Sequence, residues 1–147
     1  MTFRTALITT LVAASVLAGT PTGPVGRWKT YDDKTGALHG LVEITEENGV
    51  LKGRILKSYD PLKPNPTCDL CEGERKGQPV LGMVFLWGLT RQGEEFQGGY
   101  ILDPDNGKVY RAKVRVDEGG RKLLVRGFIG ISLLGRTQTW VREEGAP

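Results

Sequence analysis

The chain has 147 residues, with 20 Lys and Arg against 17 Asp and Glu for a net charge of +3, and it carries 21 glycines, 8 prolines and 2 cysteines. This length fits one domain, and so mild a charge excludes a nucleic-acid binder held by a basic field. The glycines sit between β-rich runs, which excludes a low-complexity chain.

The N-terminus reads as an export signal. Met1 to Arg4 is a short basic start, Ala6 to Leu17 is an apolar run, and Val16-Leu17-Ala18 offers compact residues for cleavage after Ala18. The run is too short to span a bilayer, which takes about 20 residues. Thr20 stands where a lipoprotein would need Cys, so no membrane span or lipid anchor is expected. Residues 1–18 are thus read as signal peptide, 19–25 as a flexible leader and 26–147 as a single domain. The product is expected to be exported, soluble, and periplasmic or extracellular. Removing the first 18 of the 147 residues leaves 129, and losing Arg4 lowers the net charge from +3 to +2. A chain of that size buries a core without staples.

After the leader, strand-like runs alternate with turns. Gly26 to Tyr31 is the first run, closed by Asp32-Asp33-Lys34-Thr35-Gly36, and Leu38 to Thr45 is the second. Asn48-Gly49 marks a tight hairpin into the third, Val50 to Tyr59. Val80 to Leu89 is almost wholly apolar and reads as a central strand, and Gln92-Gly93-Glu94 turns the chain into Phe96 to Leu102. Val109–Val116 and Arg121–Ile131 flank a loop at Asp117-Glu118-Gly119-Gly120, and Gly135 to Arg142 reads as the last strand.

Register follows from alternation. Pairing Val116 with Arg121 sets Val114 opposite Leu123, Ala112 opposite Val125 and Tyr110 opposite Gly127, an aromatic over a bare glycine. Pairing Leu102 with Tyr110 puts Phe96, Gly98, Tyr100 and Leu102 on the apolar face. The outer face then carries Arg111, Lys113, Arg115, Lys122 and Arg126, with Arg115 facing Lys122 and Arg111 facing Arg126. Opposed like charges are unfavourable unless solvent or an anion intervenes, so these five form a candidate anion surface beside the simpler reading of a solvated face.

About eight strands in meander order, with glycines inside them at positions 53, 82, 98, 99, 127 and 130, must bend sharply. Closing the sheet removes its edges. The fold class is therefore all-β: one antiparallel meander closed into a small barrel, with an open β-sandwich as the alternative.

Gly26-Arg27-Trp28 resembles the G-x-W signature of lipocalins and related calycins. In that group the tryptophan plugs one end of the barrel and a basic residue of the last strand packs across it, which implies Trp28 with Arg136 or Arg142 as the barrel-closing residues. From Gly26 to Arg142 the chain is similar to the bacterial family called domain of unknown function 2147. The resemblance rests on Asp32-Asp33-Lys34-Thr35-Gly36, Lys76-Gly77-Gln78-Pro79 with Leu81-Gly82, Gly98-Gly99 and Leu102-Asp103-Pro104 with Gly107. It continues through Val125-Arg126-Gly127 and Gly135-Arg136-Thr137-Gln138-Thr139-Trp140. It implies an exported, lipocalin-like barrel and no assigned activity.

Chemistry-bearing motifs are sparse. The connection from Asp60 to Pro79 is long for a structureless loop and reads as a lid or binding loop. It holds Cys68-Asp69-Leu70-Cys71, expected to be a local disulfide in an oxidising compartment. A redox pair would need a helix N-terminus, and a metal site would need more ligands than His39, Asp69 and Glu72 supply. His39 has no serine partner motif, Asp103 and Asp105 flank Pro104 in a turn, and Glu94 and Glu95 belong to another. No catalytic residue, cofactor or metal site is expected, and the chain reads as not an enzyme.

An eight-stranded barrel either fills its interior or holds one small ligand. Gly98, Ala112 and Gly127, expected as inner neighbours, leave volume there. The leading expectation is a binding module for a small, largely apolar ligand held by Trp87, Phe96, Tyr100, Tyr110 and Trp140, with the Asp60–Pro79 loop near the mouth. The alternatives are an envelope protein-interaction module with a filled barrel, and a redox or metal protein acting through Cys68 and Cys71.

Overall fold

The computed structural model describes Ala13, Gly19 and residues 21–145. The expected signal segment, residues 1–18, lies outside the described residues except for Ala13. Eight strands follow in order: β1 Gly26–Tyr31, β2 Leu38–Glu47, β3 Val50–Ser58, β4 Val84–Gln92, β5 Glu95–Asp103, β6 Lys108–Asp117, β7 Lys122–Phe128 and β8 Gly135–Arg142. Each pairs antiparallel with the next, and β8 returns to β1. The barrel is closed, which removes the open sandwich.

Local chemistry explains the first two hairpins. Asn48 and Gly49 both take positive φ, 51° and 79°, and link Glu47 to Val50, the left-handed pair that a two-residue turn between twisted strands requires. In the β1–β2 turn the Asp32 carboxylate accepts from the Lys34 and Thr35 amides and from the Thr35 hydroxyl. Those bonds, the Thr35 amide first, hold its pKa below the ordinary aspartate value.

Three boundaries and registers differ from the expectations. β4 starts at Val84, because Val80 to Met83 belong to the end of the preceding loop, where the Val80 amide donates to the Pro66 carbonyl. The β6–β7 loop is Glu118 to Arg121, with Asp117 paired to Lys122. Val116 therefore faces Leu123, Val114 faces Val125 and Ala112 faces Gly127, two residues from the expected pairing. An even displacement keeps the same face inward, so the core assignment of both strands survives. On β5, Leu102 pairs with Val109 and Tyr100 with Arg111.

The β5 difference has a specific cause. Gly88 and Gly98 take positive φ, 77° and 83°, and each begins a bulge. The bulges face one another: Trp87↔Tyr100 and Thr90↔Gln97 keep one register along β4–β5, while the ladders to β3 and β6 both shift. Past each bulge the side-chain alternation inverts. Leu86, Leu89 and Phe96 point inward and are buried, whereas Tyr100 is on the outside; Leu102 shares the face of Tyr100 and is buried beside Cys71 of the β3–β4 connection. A second irregularity at Phe85 turns both Phe85 and Leu86 into the core. The inner row of small residues is Gly99–Ala112–Gly127, with Gly99 standing where Gly98 was expected.

Candidate functional site

One end of the barrel is shut by its own residues. Trp28 on β1 is fully buried, and its indole Nε1 donates to the Pro24 carbonyl at 2.9 Å. The Arg142 guanidinium on β8 stacks 4.2 Å from the centre of that ring. It donates to the carbonyls of Gly120 at 2.6 Å, Val25 at 2.9 Å and Gly23. Burial lowers its pKa. The expected leader is thus tied to this end by three of its carbonyls. Of the two candidate barrel-closing arginines, Arg142 occupies the place. Arg136 lies at the other end of the same strand and pairs with Asp33 at 3.0 Å. Above Trp28, the side chains of Ile44, Leu51, Leu89, Phe96, Val114 and Leu123 fill the interior.

The other end is open. A cavity of about 1240 Å³, mouth included, occupies the half of the barrel between the ends of β1, β3, β5 and β7 and the starts of β2, β4, β6 and β8. Its deep wall is apolar: Val42, Ile55, Phe85, Ile101, Val125 and Trp140. The Phe85 and Trp140 rings meet at 5.9 Å with a 37° tilt. Bare backbone at Gly127 and Gly40 widens it. Polar and charged groups line as much of it as apolar ones do, and they lie toward the mouth. Trp140 Nε1 donates to Gln138 Oε1 at 3.1 Å, and Gln138 Nε2 donates to Asp33 Oδ2 at 3.1 Å. Thr30 is buried and donates to the Gly40 carbonyl, and the Tyr110 hydroxyl accepts from Asn106 at 3.0 Å.

The β3–β4 connection covers part of this mouth. Cys68 and Cys71 are bonded as a disulfide and both are buried. Around it the loop is tied to itself. Thr67 pairs with Pro79, the Cys68 amide donates to Gln78 O, and the Gly77 amide donates to Cys68 O. The loop rests on the β5–β6 turn, where the Leu70 carbonyl lies so close to Gly107 that a Cβ there would strike it. Arg75, in a short 3₁₀ turn at Gly73–Arg75, stacks 4.5 Å from the Trp87 ring.

The five aromatic residues expected to hold a ligand therefore divide. Trp140 and Tyr110 line the cavity. Phe96 is buried in the filled half beneath it. Trp87 and Tyr100 are corrections: the facing bulges turn both outward, where their rings pair at 5.9 Å and Trp87 anchors the loop through Arg75. Sequence reasoning missed Phe85, Gln138, Val42 and Ile55. Only the glycines at 88 and 98–99 signalled that the alternation would invert beside them.

The outer basic face is also rearranged. With the register moved by two, Arg115 faces Leu124, Arg111 faces Phe128, and the opposed cations are Lys113 and Arg126. Lys113 pairs with Glu95 at 3.5 Å, Lys122 with Glu118 at 2.9 Å, and Arg126 donates to the Ser132 and Leu133 carbonyls and to Thr137. Arg111 lies over the Phe128 ring. Four of the five cations thus have partners within the molecule. His39 is exposed at the mouth. Among the described residues no helix is long and apolar enough to cross a membrane.

Residues 26–142 match the family described as "Uncharacterized protein conserved in bacteria (DUF2147)". Among solved structures, protein HP1028 from Helicobacter pylori, described as belonging to the lipocalin family, is similar. It superposes with a TM-score of 0.74 at 21% identity, covering 85% of this chain and 86% of that one. At that identity the likeness is one of fold. No curated protein matches.

Proposed function

The chain belongs to the DUF2147 family, and from that premise we propose that it is an exported binding module whose barrel holds one small, largely apolar ligand. The observation that carries this reading is the cavity: about 1240 Å³, apolar-walled in its deep part and polar at its mouth, above a base that is filled and sealed. Ligand pockets run to about 300–1,000 Å³, so the volume, part of which is open mouth, suits a molecule of a few hundred daltons. The body of the ligand would lie against Trp140, Phe85 and Val125. A single polar end would reach Gln138, Thr30 or the charged mouth. The Cys68 and Cys71 sulfurs are paired and buried, which favours neither thiol chemistry nor metal ligation. The disulfide does fit an oxidising compartment.

Gly127 gives a clean test. It lines the cavity, its backbone is not left-handed, and a Cβ there would meet Ile101 and Tyr110 at ordinary contact distance, 3.4 and 3.6 Å. Gly127→Leu should therefore fill the site without distorting the barrel. Protein exported and purified from its host is expected to carry a reproducible excess mass in native mass spectrometry. An environment-sensitive fatty probe is expected to bind the wild type and to bind Gly127→Leu at least about tenfold more weakly. Equal binding by a well-folded Gly127→Leu would remove the cavity as the site.

A further inference from the structure

The mouth carries a feature that ligand binding alone does not explain. Six large aliphatic side chains stand on its loops between 60% and 88% exposed: Leu62 and Leu70 on the β3–β4 connection, and Ile129, Ile131, Leu133 and Leu134 between β7 and β8. Single exposed apolar residues are ordinary, but a cluster at one end of a molecule marks a contact surface. Leu62, Leu70, Ile129 and Leu134 also line the cavity, so the exposed apolar rim and the apolar interior are one continuous surface.

The β7–β8 loop is built in a way that favours hydrocarbon over water. Arg126 donates from Nε to the Ser132 carbonyl at 2.7 Å and from Nη2 to that of Leu133, and the Leu134 amide donates to Ile131 O at 3.0 Å. The carbonyls of Ile131, Ser132 and Leu133 are thereby bonded within the molecule, while the aliphatic side chains stand exposed. An unsatisfied carbonyl is what most strongly opposes moving a loop out of water. At three carbonyls of this loop that cost is already met.

From these observations, and resting on the binding function proposed above, we infer that the open end docks on a phospholipid surface, so that the ligand passes between cavity and bilayer without crossing water. A second copy seated rim to rim would instead seal both cavities and block exchange. The rim carries Lys34, Lys57, Lys63 and Arg136 among six aspartates, an acidic excess that supplies no attraction to a phospholipid surface. Docking is therefore driven by apolar insertion, as for an interfacial amphipathic surface, and it persists in high salt and on neutral lipid.

Position-specific labelling tests this with the full chain. The two native cysteines are paired, so Leu133→Cys can carry an environment-sensitive fluorophore at the rim and Asn48→Cys the same fluorophore at the sealed end. Adding phosphatidylcholine vesicles, with or without phosphatidylglycerol, should blue-shift the Leu133 label and leave the Asn48 label unchanged. Ile131→Asp with Leu134→Asp in the Leu133-labelled protein should weaken the apparent vesicle affinity about tenfold or more. Both positions are exposed, so the melting curve should hold. No shift with either vesicle, a shift at Asn48 alone, or a shift that needs only higher protein concentration would overturn the proposal, the last in favour of a rim-to-rim dimer. Probe binding in vesicle-free buffer separates the two ideas. If it persists while the vesicle shift is absent, docking alone fails. If it is absent from wild type and Gly127→Leu alike, the cavity reading fails.

Discussion

Arg142 joins three separate pieces of chain. Its guanidinium bonds carbonyls of the leader and of the β6–β7 turn while lying flat on Trp28. Truncation to Ala removes one cation–π contact and three charge-assisted hydrogen bonds, and leaves the Gly120, Val25 and Gly23 carbonyls to find water. Arg142→Ala should lower unfolding free energy by about 3 kcal/mol in urea titration. Arg142→Lys should fall between, since an ammonium cannot fork to several carbonyls while stacking on a ring. Trp28 as plug was legible in three residues of sequence. Which arginine crosses it was not, because the choice depends on how the last strand meets the first. Only the closed register, with Trp28 opposite Arg142, decides it.

Strand number, order and most turns were legible from alternation and from turn residues such as Asn48-Gly49. The paired bulges of β4 and β5 were not, since a glycine inside a strand marks a bend without saying which side chains change sides. That is why Trp87 and Tyr100 were placed inside and Phe85 was overlooked. The two adjacent glycines of β5 have different tasks, and substitution should separate them. A Cβ at Gly99 would collide with the main chain of Trp87, Gly88 and Leu89, whereas at Gly98 the space is open and only the left-handed φ opposes a side chain. Gly98→Ala should cost about 1 kcal/mol. Gly99→Ala should cost more than about 3 kcal/mol or prevent folding, because main-chain atoms on the neighbouring strand cannot rotate away. Equal melting temperatures for the two variants would contradict the facing-bulge geometry.

The barrel as a whole is sealed unevenly. Between β1 and β8 only Trp28↔Arg142 and Lys29↔Val141 pair, both toward the filled end. Toward the mouth the same seam is bridged by side chains, with the Asp33 carboxylate taking Arg136 Nε at 3.0 Å and Gln138 Nε2 at 3.1 Å. An exposed bridge of that kind contributes at most about 1 kcal/mol to stability, yet it stands beside the ligand's way out and is linked through Gln138 to Trp140 on the cavity wall. Asp33→Ala should therefore leave the melting curve nearly unchanged while a bound probe dissociates several-fold faster in stopped-flow fluorescence. Unchanged release would mean that the seam plays no part in exchange.

The leader's attachment to the sealed end also settles how the molecule can be held. Residues Gly23 to Val25 reach Arg142 there, and at the other end of the chain the Glu143 amide donates to the Arg27 carbonyl on the same side. The barrel is thus a vessel gripped by its foot. A tether or affinity tag joined directly before Gly23 or directly after Glu143 leaves the opening facing away from its support, and one grafted into the 129–134 or 60–79 loop stands in the doorway.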